Sequence, residues 1–346
     1  MATRRILLLA APAVLAAGRA SAQPITLRLH HFLPPVANAH RHFLAPWAEQ
    51  VSQQSEGRLS IRIFPSMQLG GAPPQLYDQA RDGVADIVWT LPGYTPGRFP
   101  RTEVIELPFV AHRRAAVNAR AVQTLLTEGA IAADYPDTHI LGAWAHDAGV
   151  VHARRPVTRL EDLSGLRLRF PTRQAGEALR ALGAAPIGMP VPQVPEALAQ
   201  GAIDGAVVPW EVVPAIRLQE LTSHHAQFAT SPTFYSASML LVMNRARYEG
   251  LPADLRAVLD ANSGQAVAAL AGRAWDAQSA AVEAMVRGRT GNSVVELDAT
   301  EAARWAERTA PVIEAWVAAM AAQGVDGAGL LDRARALVAR HGEGVA

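Results

Sequence analysis

The chain has 346 residues, 50% of them apolar and 18% charged, a globular composition with length enough for two domains or one large one. It contains no cysteine and no lysine, and all 32 basic residues are arginine. Disulfide frameworks, thiol catalysis, cysteine-bound metals, Schiff-base lysines and the phosphate-binding lysine of P-loops are thereby excluded.

Arg4 and Arg5 open the chain ahead of an apolar run from Ile6 to Ala17, and Ala20-Ser21-Ala22 follows as an A-x-A cleavage signal. Residues 1–22 are therefore expected to be a signal peptide, cleaved near Ala22, that exports the protein to the periplasm. The run falls short of the roughly 20 apolar residues that span a bilayer. The arginine pair leaves both the general secretory and the twin-arginine route open. Loss of the leader's three arginines takes the basic count from 32 to 29 against 31 acidic residues, and the formal charge from +1 to −2. Nucleic-acid binders carry a strongly basic surface, so no nucleic-acid partner is expected. No later stretch reads as membrane-spanning.

From Ile25 onward strand-like and helix-like patterns alternate, as in α/β folds. Ile25, Leu27 and Leu29 alternate with polar residues, as do Leu59, Ile61 and Ile63 before Pro65 ends that strand. The stretch 42–55 reads as a helix followed by Gly57. Further strands are expected at 87–90, 140–145, 149–153, 166–170, 206–208 and 238–243. Helices are expected at 115–128, 173–182, 194–200, 252–261 and most of 264–287, with two alanine-rich helical segments after Thr300 broken at Gly324–Gly329. One internal echo stands out. Gly83 precedes Asp86 and the strand at 87, and Gly201 precedes Asp204 and the strand at 206. Glycine suits the left-handed helix terminus and aspartate the exposed amides where a strand begins. Two similar α/β lobes around a cleft are the simplest fold that explains the repetition.

Catalytic chemistry finds no motif. The eleven histidines occur as His30-His31, His40 and His42, His224-His225 and singles, without metal-binding helix spacing. Neighbours on a strand face opposite ways, so no metal and no other cofactor is expected. No G-x-S-x-G elbow and no G-x-G-x-x-G after a strand are present. What remains is the arginine-bearing segment Leu166-Arg167-Leu168-Arg169-Phe170-Pro171-Thr172-Arg173. Arg167 and Arg169 share one strand face and Arg173 opens a helix. An arginine where a strand ends beside a helix N-terminus suits an anion, because its planar fork matches a carboxylate. The same residues also suit solvated surface charges.

Five segments in register carry a resemblance to a known family. They are Gly57-Arg58, the stretch 64–71, Glu106-Leu107-Pro108-Phe109, the stretch from Arg155-Pro156-Val157 through Leu166-Arg167-Leu168-Arg169, and Gly201-Ala202-Ile203-Asp204-Gly205. Over about 25–335 the chain resembles the solute-binding proteins of tripartite ATP-independent periplasmic (TRAP) transporters. The resemblance implies an α/β, two-lobed periplasmic binding protein of type II-like architecture with a hinge and a long lobe-spanning helix. The lobes would comprise 23–147 with 238–262 and 148–237 with 288–346, linked by a helix at 263–287. It implies a receptor without catalysis that captures an organic acid and passes it to TRAP permease membrane subunits, with Arg169 as the carboxylate clamp. Two departures point to a less polar ligand, such as a monocarboxylate with an apolar or aromatic body. The region ahead of Arg155-Pro156 carries His146-Asp147 where many relatives have arginine, and Val208 replaces a customary asparagine. Trp89, Tyr94, Phe99, Trp210 and Tyr235 are candidate aromatic walls or core residues, and Arg173 a second cation. A metal does not carry over, because Trp210-Glu211 is reversed and displaced from the metal-binding pair of the keto-acid branch. Two other readings stay open: a periplasmic sensor with the same cleft, or an exported enzyme using His31, His152 or Glu211.

Overall fold

A computed structural model describes residues 24–345; the expected leader at 1–22 and its cleavage site lie outside the described residues. Within them the strands are β1 (Ile25–His30), β2 (Leu59–Phe64), β3 (Ile87–Thr90), β4 (Thr138–Ala145), β5 (Val150–Ala153), β6 (Arg167–Phe170), β7 (Ala185–Gly188), β8 (Gly205–Val208), β9 (His224–Phe228), β10 (Ser238–Asn244) and β11 (Ser293–Leu297). They form two sheets, ordered β2-β1-β3-β10-β4 and β11-β9-β5-β8-β6-β7. Each contains a parallel trio, β2-β1-β3 or β7-β6-β8, flanked by an antiparallel strand, β10 or β5. The second sheet adds β11 at its edge.

The Gly-x-x-Asp echo is the local device that repeats the fold. Gly83 and Gly201 sit at φ 74° and 69°, the left-handed region that favours glycine. Asp86 then accepts the Arg28 main-chain N–H at 2.7 Å and its Nε at 3.1 Å. Asp204 accepts the same two groups of Arg167, both at 3.0 Å. Leu29 stands opposite Ile87 and Leu168 opposite Gly205, so the two pairings have the same register.

The helices are α1 (Ala45–Gln54), α2 (Leu76–Arg81), α3 (Ala115–Thr127), α4 (Arg173–Ala181), α5 (Val194–Ala199), α6 (Leu218–Leu221), α7 (Arg245–Glu249), α8 (Ala253–Ala261), α9 (Gln265–Arg287), α10 (Ala299–Ala322) and α11 (Gly327–Gly342). Helix α9, 23 residues and about 35 Å long, packs on α3 and β4 beside the first sheet and on β11 and the Trp210–Val212 turn beside the second. It is the long lobe-spanning helix. Trp275 on its inner face meets Trp144 of β4 edge to face at 5.8 Å. Chain crossovers at 146–149 and 229–237 join the sheets.

Most expected elements appear within a few residues of their positions. The exceptions have local causes. Residues 39–44 form a wider π-type turn, so α1 starts at Ala45. Strand β7 contains Pro186, tolerated because β7 is an edge strand. Strand β9 opens with two histidines, which break the apolar pattern. The C-terminal stretch, expected wholly with the second lobe, divides instead. Helix α10 packs on α4, but after the turn at Gly324 (φ 74°) α11 returns to α3. Leu331, Ala334 and Leu337 are buried along that helix, and Arg333 pairs with Glu128 just beyond α3.

Candidate ligand-binding site

Ligands of open α/β sheets bind beyond the carboxyl ends of the strands, and a cavity lies there, between the two sheets. Phe32 and Leu33 follow β1, Leu91 and Tyr94 follow β3, Pro171 follows β6, and Val208, Pro209, Glu211 and Val212 end and follow β8. Phe32 stacks on Trp89 with centroids 4.9 Å apart and meets Tyr94 edge to face at 5.5 Å. Gly93 presses on Thr172 so closely that a Cβ there would lie 2.4 Å from the threonine methyl. Hydrogen bonds near the cavity cross the cleft. Asn38 Nδ2 donates to the Glu211 carbonyl at 2.6 Å, the Val191 N–H to the Tyr94 hydroxyl at 3.1 Å, and Gln174 Nε2 to Glu103 Oε2 at 2.6 Å.

Arg169 enters this cavity from β6 and is 1% exposed. Its Nε donates to the Met189 carbonyl at 2.8 Å and its Nη1 to the Val207 carbonyl at 3.2 Å. These bonds hold the guanidinium plane, and Nη2 stays buried without a partner among the described residues. Its bonded partners are uncharged, so the cation is buried without an anion. Burying an unpaired charge costs several kcal/mol, and a ligand carboxylate making parallel bonds to the fork offsets that cost.

The other polar groups in the wall are neutral near pH 7. Burial pushes the Glu211 carboxyl up to about 8, and the nearby Asp147 carboxyl adds to the shift. Burial drives His146 down to about 4, partly opposed by its Nδ1 hydrogen bond to the Asp147 carbonyl at 2.6 Å. That bond puts the proton on Nδ1 and leaves Nε2 as an unpartnered acceptor. Burial also raises the Tyr94 and Tyr235 hydroxyls, against the pull of Arg169.

Of the residues singled out from the sequence, Arg169, Trp89, Tyr94, Tyr235 and Glu211 meet in this one cavity. Arg173, Trp210 and His31 do not line it. Arg173 is exposed on the first turn of α4, where its charge acts on Glu103. On the single helical turn Trp210–Val212, Glu211 and Val212 face the cavity while Trp210 turns away. Its Nε1 donates to Gln227 at 2.6 Å and its ring meets His152 edge on. His31 lies behind Trp89, 2.9 Å from the His40 ring nitrogen, and burial drives it down to about 3. Phe99 packs on Tyr77 and Tyr135. His152 shares a hydrogen bond with His225 at 2.7 Å. Sequence reading missed Phe32, Leu33, Pro209 and Met239 in the wall. The strand-end rule finds all but Met239, which reaches the cavity from the start of β10.

Comparison with known proteins decides the family. A model of the bacterial extracellular solute-binding proteins, family 7 (DctP), matches residues 29–319. The chain belongs to this family. A TRAP solute-binding protein from Rhodoferax ferrireducens T118, solved with copurified benzoate, is 42% identical with a TM-score of 0.89, over 93% of this chain and 100% of that one. A marine-metagenome TRAP protein specific for aromatic acid ligands, solved with 3-hydroxybenzoate, is 39% identical with a TM-score of 0.90, over 92% and 99%. The C4-dicarboxylate-binding periplasmic protein DctP of Rhodobacter capsulatus is 26% identical over 85% of this chain and 86% of its own. Family 7 proteins are extracytoplasmic solute receptors, so the enzyme reading is set aside. Among the described residues no helix is long and apolar enough to cross a membrane.

Proposed function

We propose that this protein is a periplasmic receptor for an aromatic monocarboxylate, delivered after export by the 1–22 leader, that passes its ligand to a TRAP-type membrane permease. The observation that carries the reading is Arg169, buried in the cavity with Nη2 unpartnered and no anion bonded to it. One cation neutralises one carboxylate. A dicarboxylate would bring a second charge into a wall whose remaining groups are neutral or apolar, at a cost of several kcal/mol. The Phe32, Trp89, Tyr94 and Tyr235 rings suit a flat apolar body. The benzoate and 3-hydroxybenzoate bound by two similar proteins support the same class. The residues assigned to binding are Arg169 as the clamp, with Tyr94, Tyr235, Trp89 and Glu211 around the ligand.

The test is calorimetric titration and thermal melting of mature protein freed of carried-over ligand by unfolding and refolding. Benzoate is expected to bind and succinate not. Benzoate at 100 times its dissociation constant should add about 2.7 kcal/mol of stability. Binding of succinate in preference to benzoate overturns the aromatic reading. Failure of every carboxylate to bind overturns the clamp.

A further inference from the structure

We propose that the ligand carries a hydroxyl group in addition to its carboxylate, and that Glu211 is the specificity residue that reads it. This deepens, and rests on, the aromatic-acid reading above. Glu211 is 2% exposed, lines the cavity, and its Oε2 is buried without a partner among the described residues. The Trp275 indole lies beside the carboxyl and draws its pKa down, yet the two close no hydrogen bond, and the indole Nε1 is likewise unpartnered.

The carboxyl is also held in place. Its main-chain carbonyl takes the Asn38 amide from across the cleft at 2.6 Å. The preceding Trp210 is fixed to Gln227, whose amide donates to Glu283 at 2.8 Å. Residues on both sides of the cleft thus fix the turn that presents an unpaired polar group to the ligand. Glu211 reaches the cavity from the turn after β8, and Arg169 from β6. A carboxylate that makes its parallel bonds to the Arg169 fork leaves Glu211 for another part of the ligand.

A buried polar group without a partner is costly, and a site built to bond a hydroxyl rejects analogues lacking it more strongly than an apolar pocket can. A neutral carboxyl both donates and accepts, as does a hydroxyl. An ether oxygen only accepts, and an unsubstituted ring offers nothing. A second carboxylate would arrive without a cation.

The experiment titrates wild type, Glu211→Leu and Glu211→Gln with benzoate, 3- and 4-hydroxybenzoate, and the corresponding methoxybenzoates. The readout is the ratio of affinities, since Glu211 lines the cavity and its loss can move every absolute affinity. In wild type one hydroxybenzoate should bind about tenfold tighter than benzoate and than its methoxy analogue. Glu211→Leu should bring the hydroxyl ratio close to one, and Glu211→Gln should keep most of it. A preference that persists in Glu211→Leu, or no preference in wild type that binds benzoate, overturns this proposal and leaves the aromatic-acid reading standing. If wild type binds none of these acids, both fall. Should Glu211→Leu fail to fold, the ligand series on wild type still decides, because equal affinity for hydroxy- and methoxybenzoates overturns the proposal.

Discussion

The two sheets repeat one sequence pattern and use it differently. Leu27-Arg28-Leu29-His30 lies on β1 and Leu166-Arg167-Leu168-Arg169 runs into β6, each in the same register with the strand that follows its Gly-x-x-Asp turn. The leucines are buried and the first arginine pairs with the turn aspartate in both. The fourth position separates them. His30 is buried and satisfied, with Nδ1 2.6 Å from Gln79 Oε1 and Nε2 accepting the Leu69 N–H at 3.3 Å. Arg169 is equally buried but is left with an unpartnered nitrogen at the cavity. The frame is a folding device in both lobes, and the polar group left unsatisfied makes one of them a binding site.

The sharpest break of this comparison is Arg169→Met. Losing one partner of a buried ion pair costs about 3–5 kcal/mol, so carboxylate affinity should fall by roughly two to four orders of magnitude. Ligand-free protein should melt no lower than wild type, because an uncompensated buried charge is removed. A lower melting point with affinity retained would reverse the assignment.

Glu211 belongs with Arg169 on the unsatisfied side. Its folded pKa is raised to about 8 from the ordinary value near 4.5. Between those values the unfolded chain has released the proton that the folded chain keeps. Stability from this group is therefore fully present at low pH and falls as pH rises, by about 1 kcal/mol per pH unit. Glu211→Gln should accordingly gain stability relative to wild type from pH 5 to 8 in ligand-free melts, and a constant difference would refute the assignment.

His30→Ala should do the opposite of Arg169→Met. Leaving Gln79 and the Leu69 amide unpaired should cost about 1–3 kcal/mol in denaturant unfolding, with benzoate affinity changed less than about threefold. Asn38→Ala removes one bond across the cleft and should weaken ligand binding by about three- to tenfold, read by calorimetry. The smallest effect is expected for Asp204→Asn. The pair with Arg167 is partly exposed, and such pairs contribute about 0–1 kcal/mol.

Much of this was legible in the chain. The alternation at 25–29, the Gly-x-x-Asp turns and the long apolar-faced helix before Arg287 reflect periodicities that act over a few residues, so they survive in sequence. Arg169 was legible through the family resemblance, since a strand-end arginine beside a helix start suits a solvated surface charge as well as an anion site. Trp210 and Glu211 were not separable, because adjacent residues of a short turn point in directions that only its dihedral angles decide. Arg173 and His31 carry suitable chemistry next to the site but face away from it, toward Glu103 and His40.

The sequence by itself determined the two-lobed α/β frame, the absence of cysteine and lysine chemistry, and the family. Tertiary structure decided which polar atoms remain without partners. Whether Arg169 and Glu211 are satisfied depends on Met189, Val207, Asn38 and Trp275, drawn from segments 20 to more than 170 residues away. Hydrogen-bond satisfaction is a property of atoms brought within about 3 Å by folding, and residue order carries no record of that distance.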